Sequence, residues 1–513
     1  MSILKSLTVL LLTVANVCLL TTVSLSQKQR PNIIFIMSDD HGYQVVSAYN
    51  SRLKSVAPTP NIDRIARDGM RFDRCLVTNS LCGPSRAVLL TGKYSHLNGF
   101  IDNSGKPFDG SQPTFPKLLQ QAGYQTAIIG KWHLVSTPTG FNHWEILNEQ
   151  GQYYNPEFIT EKGVHTEEGY VTDLITGKAI DWLKNQQKNG QPFFLMIHHK
   201  APHREWEPAL KYLRSFAGVN FPEPSTLFDD YSGRGRAAKE QKMTIASDMK
   251  LDADLKIWED RSGPDYERTR ARLNGSQGKI WDAYYDSVKN DFKTKNLSGQ
   301  DLVRWKYQHY LHDYLSCIKS VDESVGQILD YLKSTGLDKN TIVIYTSDQG
   351  FYLGEHGWFD KRFMYEESYR TPLLIEWPGM IRPGAVNKDI VSNLDLAETF
   401  LDAAGIRIPA DMQGLSLLPL LKGNTPANWR KEHYYHYYEY PVPHAVKKHY
   451  GISTSRYVLI HFYYDIDEWE LYDLEKDPQE LHSVYNDPAY RTVRDDLTKR
   501  LTDIRKFYKD ESE

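Results

Sequence analysis

The chain has 513 residues, and its 61 lysines and arginines against 65 aspartates and glutamates give a formal net charge of −4. A chain of this length can bury one large core or form two unequal domains. A net charge so close to zero argues against generic nucleic-acid binding, although it does not exclude local basic pockets.

Residues 1–26 have the pattern of a secretory signal peptide. Lys5 supplies the positive start, residues 7–20 are mostly apolar, and residues 24–26 (Ser-Leu-Ser) offer a small-x-small cleavage site. A membrane anchor is the alternative, because the apolar run approaches transmembrane length. The sequence favours export, so we predict a secreted or periplasmic protein without stable membrane insertion.

Short apolar runs separated by helical patterns indicate an α/β fold. The runs are bounded by polar residues and predict strands that are buried on both faces. In such a sheet, ligands bind beyond the carboxyl ends of the strands. The predicted strands are residues 32–37, 126–129, 193–197 and 341–346, and the predicted helices include residues 62–68, 115–122, 172–184 and 314–334.

Acidic and amide side chains come after the first and the last of these strands. Asp39 and Asp40 lie directly beyond the first, and Asp348 and Gln349 beyond the last. Their oxygen ligands favour Ca²⁺ or Mg²⁺ over zinc, which prefers histidine and cysteine. A turn or a helix cap is the commoner role for one such pair. Two pairs beyond buried strands, together with a cysteine motif at residues 82–92, favour a metal site.

That cysteine motif is the most specific in the chain: Cys82-Gly83-Pro84-Ser85-Arg86, then Leu90-Thr91-Gly92. Pro84 suits the first turn of a helix, which places Cys82 at a helix N-terminus where N–H groups attract an anion. Arg86, one turn further, offers a planar fork of donors. The alternative is that Cys82 is a small buried hydrophobe, the commoner state of a lone cysteine. Cys75 and Cys317 are the other cysteines of the mature chain, and at most these two could form a disulfide.

This motif resembles the C-x-P-S-R…L-T-G signature of type I sulfatases, the formylglycine-dependent members of the alkaline phosphatase superfamily. The resemblance implies that a formylglycine-generating or anaerobic sulfatase-maturating enzyme oxidises Cys82 to an aldehyde. Its hydrate carries two hydroxyls, one to attack sulfur and one to re-form the aldehyde and expel sulfate. The resemblance also implies Ca²⁺, or Mg²⁺, held by the modified Cys82 and by Asp39, Asp40, Asp348 and Gln349. Gln349 departs from the family pattern, because many members carry asparagine there.

The resemblance extends to further residues around the sulfate. Lys131 and His133 match a K-x-H pair that contacts the formylglycine hydroxyl and the sulfate, and Lys361 matches a second sulfate-binding lysine. His203 matches the histidine near the leaving oxygen. With Arg86, these groups supply positive charge and a proton where hydrolysis develops negative charge. Taken singly, each would more often be a solvated lysine or a core histidine.

The composition of the chain changes beyond residue 425. Aromatic, β-prone runs at residues 433–440 and 457–464, a turn at 471–474 and a helix at 490–508 predict a small antiparallel sheet with a covering helix. Sulfatases are similar: a mixed, mostly parallel sheet between helices, then a smaller α+β subdomain. We therefore predict a catalytic domain at 27–425, with a helical insertion at about 214–304, and a subdomain at 426–513.

Residues 438–444 and 447–451 resemble segments of sulfatases that act on the 6-O-sulfate of N-acetylglucosamine. Asp360, Arg362 and His444 are the candidates for binding O3 and O4 of a sulfated saccharide. The alternative interpretation of the tyrosines in these two segments is that they are cross-strand pairs on the surface of a sheet. Two other functions stay open: a phosphodiesterase or phosphonate hydrolase of the same superfamily, and a sulfated-glycan binder that is never oxidised at Cys82.

Overall fold

The computed structural model of the protein describes residues 30–186 and 190–512. The signal peptide predicted at residues 1–26 lies outside these residues. Within them, no helix combines the length and the apolar character needed to cross a membrane.

A mixed sheet of eleven strands forms the centre of the main domain. Its strand order is β12-β2-β11-β8-β1-β7-β3-β4-β5-β6, and β13 pairs with β2. The central strands β8, β1, β7, β3 and β4 are parallel, whereas β11 and the β4-β5-β6 meander pair antiparallel. The strands of this domain, including a separate β9-β10 hairpin, are β1 (Asn32–Ser38), β2 (Met70–Leu76), β3 (Gln125–Gly130), β4 (His143–Leu147), β5 (Glu157–Thr160), β6 (Gly163–Thr166), β7 (Phe193–His198), β8 (Thr341–Ser347), β9 (Tyr352–Leu353), β10 (Phe359–Asp360), β11 (Arg370–Glu376), β12 (Ala385–Asn387) and β13 (Val391–Ser392).

Helices cover both faces of this sheet, which explains why its central strands are continuous apolar runs. Because side chains alternate along a strand, Ile34 and Ile36 of β1 pack on one face while Ile33 and Phe35 pack on the other. The first face is covered by α5 and α9, and the second by α4 and α11. The helices are α1 (Ile62–Asp68), α2 (Cys82–Thr91), α3 (Ser95–Asn98), α4 (Phe115–Gln121), α5 (Val171–Gln186), α6 (Arg236–Glu240), α7 (Pro264–Arg270), α8 (Gly275–Lys295), α9 (Gly299–Thr335), α10 (Glu366–Tyr369), α11 (Asp395–Ala403), α12 (Leu418–Leu421) and α13 (Arg491–Phe507).

A second, antiparallel sheet comes next in the chain, in the order β14-β15-β16-β17. Leu497 and Leu501 of α13 pack against its Ile452 and Leu459. The predicted architecture, a mostly parallel α/β sheet and then a small antiparallel sheet, is confirmed. These strands are β14 (Glu432–Tyr437), β15 (His449–Thr454), β16 (Tyr457–Phe462) and β17 (Glu468–Asp473).

Two local predictions differ from the structure. The turn predicted at residues 471–474 is wrong, because Leu471 and Tyr472 continue β17 and point into the two opposite core clusters of this sheet. In the segment predicted as a helical insertion at 214–304, long helix occurs only in the later part, where α8 lies. The earlier part is mostly irregular and carries the short helix α6. The charged composition of residues 214–304 is similar throughout, so it did not distinguish the irregular earlier part from the helical later part.

A buried carboxyl in α11 makes the stability of the fold depend on pH. Burial, and then the charge of Asp395, raises the pKa of Glu398 from its ordinary value of 4.5 to about 8. A carboxyl whose pKa is raised by folding binds its proton more tightly in the native state. The free energy of unfolding therefore falls as the pH rises through this interval, by up to about 1.4 kcal/mol per pH unit.

We expect Glu398→Gln to flatten this decline and to raise the free energy of unfolding at about pH 8, because the amide needs no proton to stay neutral. Urea denaturation of both proteins at about pH 5, 6.5 and 8 measures the effect. If the free energy of unfolding declined equally steeply with pH in the wild type and in Glu398→Gln, the pH dependence could not be assigned to Glu398.

Candidate active site

The predicted site residues meet at the carboxyl edge of the central sheet. Strands β1 and β8 are parallel neighbours, with Ser38 opposite Ser347, so the residues just beyond these two strands emerge side by side. Lys131 comes directly after β3, whose last residue lies opposite the end of β7. The strand register therefore brings together groups that are far apart in the sequence.

Three buried carboxylates form a compact cluster at this edge. Oxygens of Asp39, Asp40 and Asp348 lie within 4.8 Å of one another. The Nε2 of Gln349 donates to Asp40 Oδ1 at 2.5 Å and lies 3.7 Å from Cys82 Sγ. The predicted oxygen ligands are thus adjacent, Gln349 included, and Cys82 lies beside them.

The chemistry of this cluster fits a hard divalent cation. Asp39 Oδ1 and Gln349 Oε1 are buried and accept no hydrogen bond from any residue that the structure describes. Burial, and then the charge of Asp39, raises the pKa of Asp348 to about 7, and burial raises the pKa of Asp40 to about 6. Orphaned oxygens and crowded carboxylates are what a Ca²⁺ or Mg²⁺ ion would satisfy.

A positively charged side chain is paired with each carboxylate. Arg86 Nη2 donates to Asp348 Oδ2 at 2.9 Å, and Lys361 Nζ lies 2.7 Å from Asp40 Oδ1. Lys131 Nζ donates to Asp39 Oδ2. All three cations are buried, so they are held close to Cys82 in an environment where their charge is poorly screened.

Cys82 is the first residue of α2, as the position of Pro84 predicted. Its sulfur, an oxygen of Asp39 and a ring nitrogen of His203 lie within 4.8 Å of one another. Burial, and then the charge of Asp39, raises the pKa of the Cys82 thiol. A thiol that stays protonated is a poor nucleophile, so the unmodified side chain is not suited to attack.

The surroundings of the cysteines separate Cys82 from the other two. Cys82 faces carboxylates, cations and a histidine, which is not the apolar setting of a merely structural cysteine. Cys75 and Cys317 are both free and buried in apolar clusters, so the disulfide that the sequence allowed is not formed.

His203 presents one ring nitrogen to the site. Its Nδ1 contacts the carbonyl oxygen of Arg204 and donates to it, because a carbonyl only accepts. The Nε2 therefore faces the cluster, 3.8 Å from Asp40 Oδ2. Burial, and then the charge of Lys131, lowers the pKa of His203 well below its ordinary value.

Sequence reasoning missed Gln150, which joins two of the predicted residues. Lys131 Nζ donates to Gln150 Oε1 at 2.5 Å, and Gln150 Nε2 lies 2.8 Å from His133 Nε2. Because lysine only donates, the amide orientation is fixed and its NH₂ must donate to His133 Nε2. Gln150 thus fixes the tautomer of His133: Nε2 accepts from the amide, and the neutral ring carries its proton on Nδ1, a buried atom with no partner among the described residues. A signal existed, since Gln150 lies just beyond the carboxyl end of β4, a parallel neighbour of β3.

We expect Gln150→Ala to lower kcat/KM by about 10- to 100-fold, the usual cost of losing a residue that orients a reacting group. In Gln150→Glu the carboxylate would raise the pKa of His133, so the acidic limb of the pH profile should move to higher pH. Gln152, which accepts from the backbone N of Glu157 at 3.1 Å, is the control site. A Gln150→Glu profile that coincides with that of Gln152→Ala would contradict this role.

A cavity of about 720 Å³ opens above Cys82. His444 Nε2 lies 3.2 Å from Asp360 Oδ2, and Arg362 Nε lies 3.3 Å from Asp360 Oδ1. Arg362 Nη1 in turn donates to Glu439 Oε2 at 2.7 Å. The three predicted saccharide-binding residues therefore form one chain of polar contacts along the cavity, to which the C-terminal part contributes His444 and Glu439.

Several residues here hold left-handed backbone conformations that non-glycine residues seldom adopt. The φ angles are +66° at Asp40, +55° at His133, +75° at Asp360 and +107° at Arg362. Backbone strain of this kind persists where surrounding contacts enforce it, and it clusters at functional sites.

The mixed sheet, with its carboxylate cluster at the carboxyl edge and the following antiparallel sheet, has the alkaline phosphatase-like fold of sulfatases. Two family models match the chain: "Sulfatase" over residues 31–406 and "N-sulphoglucosamine sulphohydrolase, C-terminal" over residues 354–507. The chain belongs to the sulfatase family and is a sulfuric ester hydrolase. The predicted family and enzyme class are confirmed.

The relatives include carbohydrate sulfatases. An N-acetylglucosamine-6-O-sulfatase of Bacteroides thetaiotaomicron is 52% identical over 94% of this chain and 88% of its own length. The human N-acetylglucosamine-6-sulfatase is 29% identical over 82% of this chain and 70% of its own. A solved structure in complex with its substrate D-glucosamine-2-N,6-O-disulfate superposes with a TM-score of 0.91 at 51% identity, covering 94% of this chain and 99% of that one.

Proposed function

We propose that the protein is an exported carbohydrate sulfatase that removes the 6-O-sulfate of N-acetylglucosamine or glucosamine. The observation that carries this proposal is one cavity that is lined both by Cys82, His203 and Lys361 and by the saccharide-binding candidates Asp360, Arg362 and His444. The 52% identical relative is named for this activity, and the 51% identical solved structure holds a 6-O-sulfated glucosamine.

The residues that would hold a divalent metal are Asp39, Asp40, Asp348, Gln349 and the modified Cys82. The metal, Ca²⁺ or alternatively Mg²⁺, would supply positive charge beside the sulfate oxygens. Formylglycine at position 82, installed by a maturating enzyme, would supply the hydroxyl that attacks sulfur and the second hydroxyl that allows sulfate to leave. The orphaned oxygens of Asp39 and Gln349 support the metal, and the inert thiol supports the modification.

The protein's own cations stabilise the reacting sulfate. Arg86, Lys131 and Lys361 surround the position next to Cys82 and offset the charge that develops on the sulfuryl oxygens. Because these side chains are already buried and held by carboxylates, they need little rearrangement when the substrate binds.

Two histidines divide the proton transfers. His203 directs Nε2 at the site and donates a proton to the leaving sugar oxygen. Burial and the charge of Lys131 lower the pKa of His203, and a negatively charged sulfate beside the ring would raise it. His133, whose Nε2 accepts from Gln150, carries its ring proton on Nδ1 and would donate it to the hydroxyl at position 82, which steadies the diol.

The sugar is held by the polar chain along the cavity. Asp360 accepts hydrogen bonds, and Arg362 donates them, so the pair can bind two neighbouring hydroxyls such as O3 and O4. His444 Nδ1 lies 2.7 Å from the carbonyl oxygen of Lys242, which fixes its ring and directs Nε2 at Asp360. Export would result from the signal peptide at residues 1–26.

An assay across mono-sulfated monosaccharides tests the proposal. We expect desulfation of N-acetylglucosamine-6-sulfate and glucosamine-6-sulfate in preference to 3-O-, 4-O- or 2-O-sulfated sugars. Preference for another position would end the assignment to the 6-O-sulfate and leave the sulfatase class untouched. Metal analysis of the purified enzyme should find one calcium or magnesium per chain, whereas paired zinc would contradict the proposed ligand set.

A further inference from the structure

The mouth of the cavity carries an aromatic surface that the proposed chemistry does not use. Tyr464 is 72% exposed and Val442 is 71% exposed. Tyr440 lines the cavity, and the centroids of the Tyr440 and Tyr464 rings are 6.3 Å apart. The Tyr464 ring is exposed and the Tyr440 ring is half-buried, with their planes 68° apart, so the two rings offer an apolar corner to a ligand that extends out of the pocket, such as a pyranose ring.

Local structure holds these two rings in place. Tyr464 lies in the β16-β17 connection directly after buried Tyr463, and its backbone has a left-handed conformation with φ +86°. The hydroxyl of Tyr440 donates to Asp465 Oδ2 at 2.8 Å and accepts from Lys447 Nζ at 3.1 Å. Lys447 is itself neutralised by Asp465 and Glu240, at 2.6 and 3.0 Å. The surface is therefore built before a ligand arrives.

Lys448 differs from the other cations of the cavity. Lys361, Arg362 and Arg204 are paired with Asp40, Glu439 and Asp254. Lys448 also lines the cavity and lies over the Tyr464 ring, with Nζ 4.6 Å from its centroid. It pairs with no carboxylate in the residues that the structure describes. A half-buried ammonium that contacts an aromatic ring and has no carboxylate partner among the described residues is suited to an anionic group on the ligand.

We propose that Tyr440, Tyr464 and Lys448 form a second sugar subsite. It binds the residue glycosidically linked to the sulfated glucosamine, and it favours a residue that carries a carboxylate or a sulfate. This inference rests on the proposed function, because it assigns the neighbour of the sugar that is desulfated. The cavity of about 720 Å³ agrees with a ligand larger than one ring.

Four substrates test the subsite, each with a 6-O-sulfated glucosamine: the monosaccharide, and disaccharides in which it is linked to a uronate, to a sulfated galactose or to neutral galactose. We expect Lys448→Gln to lower kcat/KM about fivefold for the anionic disaccharides, and to change the other two substrates by less than about twofold. The anionic disaccharide whose kcat/KM falls more in Lys448→Gln shows whether the subsite prefers a carboxylate or a sulfate. The loss should shrink at high salt.

Tyr464→Asn removes the ring while suiting the positive φ, and we expect it to lower kcat/KM for all three disaccharides but not for the monosaccharide. Lys431→Gln is the matched control, because Lys431 is exposed and does not line the cavity. Equal effects of Lys448→Gln on all four substrates, or no effect on either anionic disaccharide, would overturn the proposal. Failure of the wild-type enzyme on all four substrates would instead overturn the proposed function.

Discussion

Replacing Cys82 with alanine is expected to lower kcat/KM for sulfate ester hydrolysis by at least about 10³-fold, because the variant has no group that can be converted into the nucleophile. Lys361 and Arg86, which are proposed to bind the sulfate, are expected to keep their carboxylate partners in the variant. Substrate should therefore still bind, and the loss should fall on kcat. Steady-state kinetics on N-acetylglucosamine-6-sulfate measure it.

Cys75→Ala is the matched control, since Cys75 is also free and buried but packs in an apolar cluster. It should keep near wild-type activity. Cys82→Ser should collect a covalently sulfated form that turns over slowly, because one hydroxyl can attack but no second hydroxyl can expel sulfate. The intact mass of the natively matured enzyme should be about 18 Da below that of the unmodified chain. Turnover by Cys82→Ala close to that of wild type would rule out this nucleophile.

The second large effect is expected at His203. Replacing it with alanine should lower kcat for a sugar sulfate by about 10² to 10⁴-fold, since a sugar alkoxide leaves poorly without a proton. An aryl sulfate releases a stable phenolate and needs no such donor. The same variant should therefore hydrolyse an aryl sulfate with a loss of less than about tenfold.

This comparison separates proton donation from structural damage. A misfolded variant, or one that has lost its metal, would lose both activities to the same degree. The ratio of the two rates in one preparation is therefore the measurement. Equal losses on the alkyl and the aryl substrate would contradict the assignment of His203 as the proton donor.

The core of the site could be predicted because it depends on local patterns. Asp39 and Asp348 come just after buried apolar runs, and parallel strands bring the residues at their carboxyl ends to one edge of the sheet. Cys82 stands in a motif whose proline and apolar continuation indicate a helix start. Each of these patterns spans only one helical turn or one strand, so it can be recognised in the sequence without knowledge of the tertiary structure.

Other parts of the site depend on contacts between distant segments. Gln150 is identified only once β4 is known to lie beside β3, and then only through its contacts with Lys131 and His133. The pairing of His444 with Asp360 joins residues 84 positions apart. No periodicity or motif encodes such a distance, because it is set by how the C-terminal sheet packs on the main domain.

The sequence by itself determined the sulfatase family and the order of strands and helices in the main elements, and it predicted Cys82 as the nucleophile and Asp39, Asp40 and Asp348 as metal ligands, because each of these rests on short-range spacing. Only the tertiary structure decided which cations remain paired, which amide fixes the tautomer of His133, and that Lys448 lies over the exposed Tyr464 ring at the edge of the cavity. Those properties come from the balance of burial and charge among groups that meet only when the chain has folded.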